Sequence, residues 1–180
     1  MPAAASPAIL RPGLLDGVSV VLASAEPPSA FGEAVAERCS ALGAGVDRVV
    51  VDPTGEEVAG RPGADVLVWD GASPAGPRDV LDGAWLALRP QARAMIDAEV
   101  GGKLVLVAPP PADAGAEAAR GGIENLARTL SIEWARFGIR TAALLPGADT
   151  EPDEVAELAA FLASRAGDYY SGCRFAMGEA

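Results

Sequence analysis

The stretch that decides the fold is residues 123–147, IENLARTLSIEWARFGIRTAALLPG. Its first part continues an amphipathic segment, Glu117 to Phe137, which has the apolar spacing of an α-helix and is expected to end at Gly138. Its second part, Arg140 to Leu145, is a short apolar run that predicts a buried strand. A long helix that leads directly into a buried strand is a repeating unit of parallel α/β sheets.

The same alternation continues outward in both directions. Strands are predicted over 18–23, 48–52, 64–69, 103–107, 140–145 and 173–177, and helices over 30–42, 78–100, 117–137 and 153–165. Strands that are unbroken runs of Val and Leu indicate a sheet covered by helices on both faces. Pro90 is expected to kink or split the second helix. The sequence therefore predicts one α/β domain over 14–180, a doubly wound Rossmann-like parallel sheet of about six strands, after a flexible extension at 1–13.

Composition and charge exclude several classes of function. The formal net charge is −11, which makes nucleic acid and anionic membrane surfaces poor partners. Histidine is absent and the cysteines are Cys39 and Cys173 alone, so no metal site and no Cys-His or Ser-His-Asp site is expected. Cys39 lies on the apolar face of a predicted helix and is expected in the core. Without a secretory leader or a stretch of membrane-spanning length, the cytoplasm is the predicted location.

Four segments resemble the short-chain dehydrogenase/reductase family in order and spacing. Residues 14–17, LLDG, resemble the segment before its first strand, and residues 65–72, DVLVWDGA, resemble its DVLVNNAG strand end. Residues 123–147 are similar to its active-site helix and sixth strand, and residues 151–172 to its C-terminal part. The resemblance implies a Rossmann-like fold and a link to NAD(P)-dependent ketone/alcohol interconversion.

Compared with that family, this chain is expected to lack three pieces. The connection from the second strand to Asp65 is too short for the usual helix, strand and helix, so the third family strand is missing. The loop after Val107 is also short. Pro146 and Gly147 lead almost directly into the last helix, so the helices that cover the substrate are missing as well.

The resemblance also locates the four catalytic positions. The family's Asn, Ser, Tyr and Lys fall here on Val80, on Ala108 or Pro109, on Ala116 and on Arg120. Alanine, valine and proline side chains cannot exchange a proton, and arginine stays protonated at any working pH. No catalytic residue is therefore expected.

The turn expected to hold the cofactor is equally altered. It reads ASAEPPSAFG over residues 23–32, with two prolines that lack an N–H and a glutamate where a diphosphate would lie. Gly32 alone matches the family pattern. Asp52, 20 residues later, is placed to hold an adenosine ribose or simply to open the Asp-Pro-Thr-Gly turn. We expect no cofactor in this chain and NAD(P) in a partner subunit.

The two long helices, through which family members pair, are full length here. Their interface candidates are Trp85, Leu88, Ile123, Leu130 and Trp134, although the aliphatic residues could equally face the chain's own sheet. The leading hypothesis is a non-catalytic subunit that forms a hetero-oligomer with an active family member and stabilises or tunes it. By family analogy alone, that partner's substrate is an acyl thioester, polyketide or steroid-like compound.

Two alternatives remain open from the sequence. One is an atypical oxidoreductase, active itself, in which a partner's side chain, or Tyr169 or Tyr170, reaches the cleft. The other is a homodimeric module that binds a small ligand.

Overall fold

The computed structural model describes residues 9–55 and 58–178. Within these residues, strands and helices alternate along the chain as the sequence predicts. The elements are β1 (Ser19–Ser24), α1 (Ala30–Ala41), β2 (Gly45–Val50), β3 (Val66–Asp70), α2 (Pro77–Asp97), β4 (Gly102–Val107), α3 (Ala114–Glu133), β5 (Ile139–Leu145), α4 (Pro152–Ala163) and β6 (Cys173–Ala176). Short 3₁₀ turns follow α3 at Ala135–Phe137 and α4 at Arg165–Tyr169.

The strands form one parallel six-stranded sheet in the order β2-β1-β3-β4-β5-β6. The chain runs outward from β1 to β2, then returns to the other side of β1 with β3. This reversal creates a switch point between β1 and β3, and ligands of such sheets bind at the carboxyl ends of the strands beside it. The predicted α/β, doubly wound class is confirmed.

Each face of the sheet carries its own hydrophobic core. Side chains such as Val20 and Leu22 point toward α1 and α4, whereas Val21, Leu67 and Leu104 point toward α2 and α3. Successive residues of a strand alternate between faces, so a strand covered on both faces must be apolar throughout. This explains the Val- and Leu-rich runs of the sequence.

β2 lies at the edge of the sheet, and a short connection leads from it to β3 on the other side of β1. Val58 packs against the core beneath α2 and α3. Gln91 of α2, fully buried, accepts from the Arg61 N–H at 2.8 Å and donates to the Arg61 carbonyl at 3.2 Å. The buried amide of Gln91 therefore holds the Arg61 backbone against α2.

The predicted bounds of β2 are wrong, and α2 is continuous through Pro90. β2 begins at Gly45, whose N–H bonds the Val18 carbonyl, and ends at Val50, not over 48–52. Its start lies on an exposed edge and lacks the apolar pattern by which strands are recognised. Pro90 does not split α2, because Leu88 and Ala92 on either side of it are buried and hold the helix against the sheet.

The described part of the N-terminal segment and the Cys39 thiol both lie near the core under α1 and α4. Of the predicted extension 1–13, residues 1–8 lie outside the described residues, while Leu10 packs against the core of α1 and α4. Cys39 is fully buried, as predicted, and burial raises the pKa of its thiol to about 12. Among the described residues, no helix combines the length and apolarity needed to cross a bilayer.

Candidate functional site

The carboxyl edge of the sheet is the candidate site, because the altered cofactor turn and the family's catalytic positions meet there. The turn after β1 is held by groups at the end of β3. The Ala25 N–H donates to Ser73 Oγ at 2.8 Å, and this hydroxyl donates to the Asp70 carbonyl at 2.7 Å. Ser29 is the N-cap of α1, and its Oγ accepts from the Gly32 N–H at 3.2 Å.

Asp70, the last residue of β3, is a buried carboxylate that the sequence reasoning missed. It accepts from the Ser29 N–H at 2.8 Å, from Ser29 Oγ at 2.7 Å and from the Ala72 N–H at 3.3 Å, and it is 0% exposed. Burial raises the pKa of Asp70 above its ordinary value, while the bonds from Ser29 and Ala72 act in the opposite direction. The available signal was an acid within the otherwise apolar run of residues 66–70.

Asp52, the candidate for a ribose ligand, is engaged by a turn of its own chain. It lies beyond the end of β2, where its Oδ1 accepts from the Thr54 N–H at 2.9 Å and from the Thr54 hydroxyl at 2.8 Å. These bonds hold the pKa of Asp52 below its usual value. The carboxylate therefore serves the Asp-Pro-Thr-Gly turn, which is the alternative that the sequence left open.

Apart from Arg120, the family's catalytic positions carry no polar side chain. Val80 is 2% exposed and Ala108 is fully buried, both within the core beneath α2 and α3. Pro109 follows β4, and Ala116 lies in the first turn of α3, where its N–H bonds the Asp113 side chain at 2.8 Å. None of these groups can exchange a proton with a carbonyl substrate.

Arg120 has a structural role that the sequence did not reveal. Its Nη1 donates to the carbonyl of Pro109 at 2.9 Å and to the carbonyl of Pro146 at 2.6 Å, and the side chain is almost fully buried. Its Nε lies 3.7 Å from a carboxylate oxygen of Glu117. The guanidinium thus ties together the ends of β4 and β5 and the start of α3.

Trp69 fills the space between the end of β3 and α2. It is fully buried, and a methyl group at Gly83 of α2 would lie 2.6 Å from its Cη2. Its indole N–H has no acceptor among the described residues. A large ring therefore occupies the position where the DVLVNNAG pattern has an asparagine.

NAD(P), the cofactor that the fold implies, does not fit these residues. A diphosphate binds to backbone N–H groups at the start of the first helix. Here the Ser29 N–H is bonded to Asp70, and Pro27 and Pro28 have no N–H to offer. Glu26 and Asp70 would place two carboxylates beside the phosphates.

Three of the predicted interface residues are unavailable to a partner. Leu88 and Ile123 are fully buried and Leu130 is 5% exposed, because the apolar face of a helix that covers a sheet packs on that sheet. Trp134 is half-buried against the same core. Trp85 is 39% exposed, with the Arg89 guanidinium 5.9 Å from its ring centroid.

A further exposed residue, Ile132 of α3, was missed by the sequence reasoning. It is 73% exposed. The sequence does indicate this exposure, because Ile132 is out of phase with the buried positions 123, 127 and 130 of the same helix.

The two tyrosines lie at the opposite end of the sheet from the candidate site. Tyr170 packs against Phe161 and Phe175, with ring centroids 5.8 and 5.5 Å away, beside the amino-terminal halves of β4 and β5. Tyr169 is 91% exposed at the end of the turn after α4. This placement does not bring either hydroxyl to the catalytic positions.

No family model and no curated protein matches the chain. Solved structures do. Citronellol catabolism dehydrogenase from Pseudomonas aeruginosa aligns with a TM-score of 0.70 at 22% identity, over 94% of this chain and 97% of that one. A short-chain type dehydrogenase/reductase from Mycobacterium marinum aligns with a TM-score of 0.73 at 16% identity, over 91% and 94%.

A third match, a putative 2-deoxy-d-gluconate 3-dehydrogenase from Agrobacterium tumefaciens, was solved with bound NADP. It aligns with a TM-score of 0.72 at 19% identity, over 93% of this chain and 97% of that one. At these identities the likeness concerns the fold. The chain has the fold of the short-chain dehydrogenases/reductases.

Proposed function

We propose that this chain is a non-catalytic subunit that pairs through the outer face of α2 and α3 with an active NAD(P)-dependent oxidoreductase of the same fold. It stabilises or tunes that partner, in the cytoplasm. The partner carries the cofactor and interconverts a ketone and an alcohol. An acyl-thioester, polyketide or steroid-like substrate is suggested by family analogy alone.

The observation that carries the proposal is the apolar surface on this helical face. Trp85 of α2 and Ile132 of α3 are exposed, and Leu81, Leu86 and Leu126 of the same two helices are half-buried. Exposed aromatic and aliphatic side chains grouped on one face are typical of association surfaces, and Trp is a frequent energetic centre of them.

Charged pairs lie along the same two helices. Arg78 bonds Asp82 at 3.1 Å and Arg93 bonds Asp97 at 2.8 Å along α2, and Arg128 bonds Glu124 at 2.7 Å on α3. Exposed pairs of this kind contribute little to folding stability. They suit the polar rim that surrounds the apolar centre of an interface.

The second support is the chemistry of the carboxyl edge. A carbonyl reductase needs a group that delivers a proton, and Val80, Ala108 and Ala116 have none. Arg120 is held by the carbonyls of Pro109 and Pro146. A chain with this edge acts more readily as a structural partner than as the catalyst.

Co-expression with a family reductase encoded nearby tests the proposal. We expect the two chains to elute as one complex of defined mass, and we expect Ile132→Glu to dissociate it by burying an unpaired charge. Val100→Glu is the matched control, since Val100 is also an exposed aliphatic residue, at 67%, but lies beyond the end of α2. Separate elution with unchanged reductase activity would contradict the proposal.

The same experiment separates the two alternatives. A chain that forms a homodimer alone, dissociated by Ile132→Glu and retaining a small molecule in native mass spectrometry, would favour the ligand-binding module. Turnover by the chain alone, lost in Tyr169→Phe or Tyr170→Phe, would favour the atypical enzyme.

A further inference from the structure

The contact between Asp70 and the start of α1 has a role beyond the loss of a cofactor turn. Asp70 is 0% exposed, and an isolated carboxylate in such a place costs much free energy. Its oxygens instead receive the N–H and the hydroxyl of Ser29, the residue that caps α1.

The Ser29 hydroxyl links the helix to the carboxylate. The hydroxyl oxygen accepts a hydrogen bond from the Gly32 N–H at 3.2 Å, and the hydroxyl donates a hydrogen bond to Asp70 Oδ1 at 2.7 Å. Helix N-termini carry a partial positive charge and stabilise anions placed beside them. The Asp70 carboxyl group therefore lies at the position where α/β proteins with this topology place a ligand's phosphates.

Gly32 supports the same conclusion from the other side of the contact. A Cβ at position 32 would overlap Oδ2 of Asp70. Gly32 is the one residue of the turn that matches the family's cofactor pattern. In this chain, the absence of its side chain makes room for Asp70.

We infer that the Asp70 carboxylate is a built-in anion that occupies the start of α1 and excludes a dinucleotide diphosphate from it. The prolines and Glu26 of the turn add to this exclusion, but Asp70 itself takes up the N–H and the hydroxyl of Ser29. The inference does not depend on a partner subunit.

Replacement of the internal anion by an external one tests the inference with the full chain alone. Asp70→Ala is expected to be destabilised and then to regain stability in inorganic pyrophosphate. At about ten times the dissociation constant, the melting temperature should rise by about 3–6 °C. The wild-type chain should show no rise, because its own carboxylate is in place.

Asp65→Ala is the matched control. Asp65 also accepts a backbone N–H, from Ser19 at 2.8 Å, but it is exposed and precedes the other end of β3. Pyrophosphate should not stabilise this variant. A rise for the wild type or Asp65→Ala as large as for Asp70→Ala, or no rise for Asp70→Ala, would overturn the inference.

Two further measurements keep the test decisive. If Asp70→Ala is recovered unfolded, its soluble yield after refolding with and without pyrophosphate replaces the melting temperature, and an unchanged yield counts against the inference. If it folds, Gly32→Ala should lower the melting temperature less in the Asp70→Ala background than in the wild type. Equal losses in the two backgrounds would mean that Gly32 and Asp70 are not coupled.

Discussion

The carboxyl edge of the sheet and the outer face of α2 and α3 share helices but differ in how their side chains are used. At the edge, Trp69, Asp70 and Arg120 are buried, and the two charged groups are bonded to the chain's own backbone or hydroxyl groups. On the helical face, Trp85 and Ile132 remain exposed. The edge at which sheets of this topology bind ligands is therefore packed interior in this chain, while the outer face of α2 and α3 keeps large apolar side chains exposed.

The largest effect is expected from Trp69→Ala. Trp69 is fully buried at the edge, and removal of a buried Trp costs about 3–5 kcal/mol of unfolding free energy because a cavity remains. Urea denaturation measures the loss. Trp85→Ala should cost clearly less, since Trp85 is 39% exposed. Similar losses for the two variants would mean that the edge is no more tightly packed than the helical face.

Arg120→Ala is expected to have the next largest effect, about 1–3 kcal/mol. The change leaves the carbonyls of Pro109 and Pro146 without the donor that they share, and both proline residues lie at the edge. Urea denaturation again measures the loss. Arg128→Ala is the control, because its partner Glu124 lies on the surface of α3 and the pair contributes little. Equal losses would show that Arg120 does not hold the edge together.

Trp85→Ala tests the outer face of α2 and α3. It should weaken the proposed complex by about 1–2 kcal/mol, or roughly fivefold to thirtyfold in dissociation constant, because a partly exposed Trp is a typical anchor of an interface. Titration of the chain against its partner by calorimetry measures the change. An unchanged dissociation constant would place the interface elsewhere.

The smallest expected effect is a pH dependence of the unfolding free energy, which has opposite signs at Asp70 and at Asp168. Burial raises the pKa of Asp70 in the folded chain, with the nearby charge of Glu33 adding to the rise. The stability that Asp70 contributes is therefore full below its unfolded pKa, near 3.8, and falls as the pH rises through the folded value. Relative to the wild type, Asp70→Asn should gain stability between pH 4 and pH 7.

Asp168 provides the opposing case for the same measurement. The Lys103 ammonium, 2.7 Å away, lowers the pKa of Asp168, so its contribution is present above its unfolded pKa and is lost as the pH falls. Relative to the wild type, Asp168→Asn should lose stability as the pH rises toward the unfolded pKa, near 3.8, and should change no further above it. Urea denaturation at several pH values checks both signs, and parallel behaviour of the two variants would contradict the assignment.

Much of the fold was predictable because its signals are local. The apolar runs of β1, β3, β4 and β5 reflect burial on two faces, and the four helices follow from their apolar spacing. β2 was misplaced because an exposed edge strand has no such pattern. The absence of acid/base groups at Val80, Ala108 and Ala116 also follows from residue identity alone once the positions are aligned.

The sequence by itself determined which groups are available: no histidine, no family tyrosine or lysine at the catalytic positions, and an apolar pattern that requires a doubly covered sheet. Only the tertiary structure decided which groups meet. Asp70 and Ser29 are 41 residues apart, and Arg120 and Pro146 are 26 apart, so no local pattern links them. For the same reason helical spacing could not tell Leu88, which packs on the chain's own sheet, from Trp85, which is exposed. Burial depends on what packs against a helix, and that is settled by the assembly of the whole sheet.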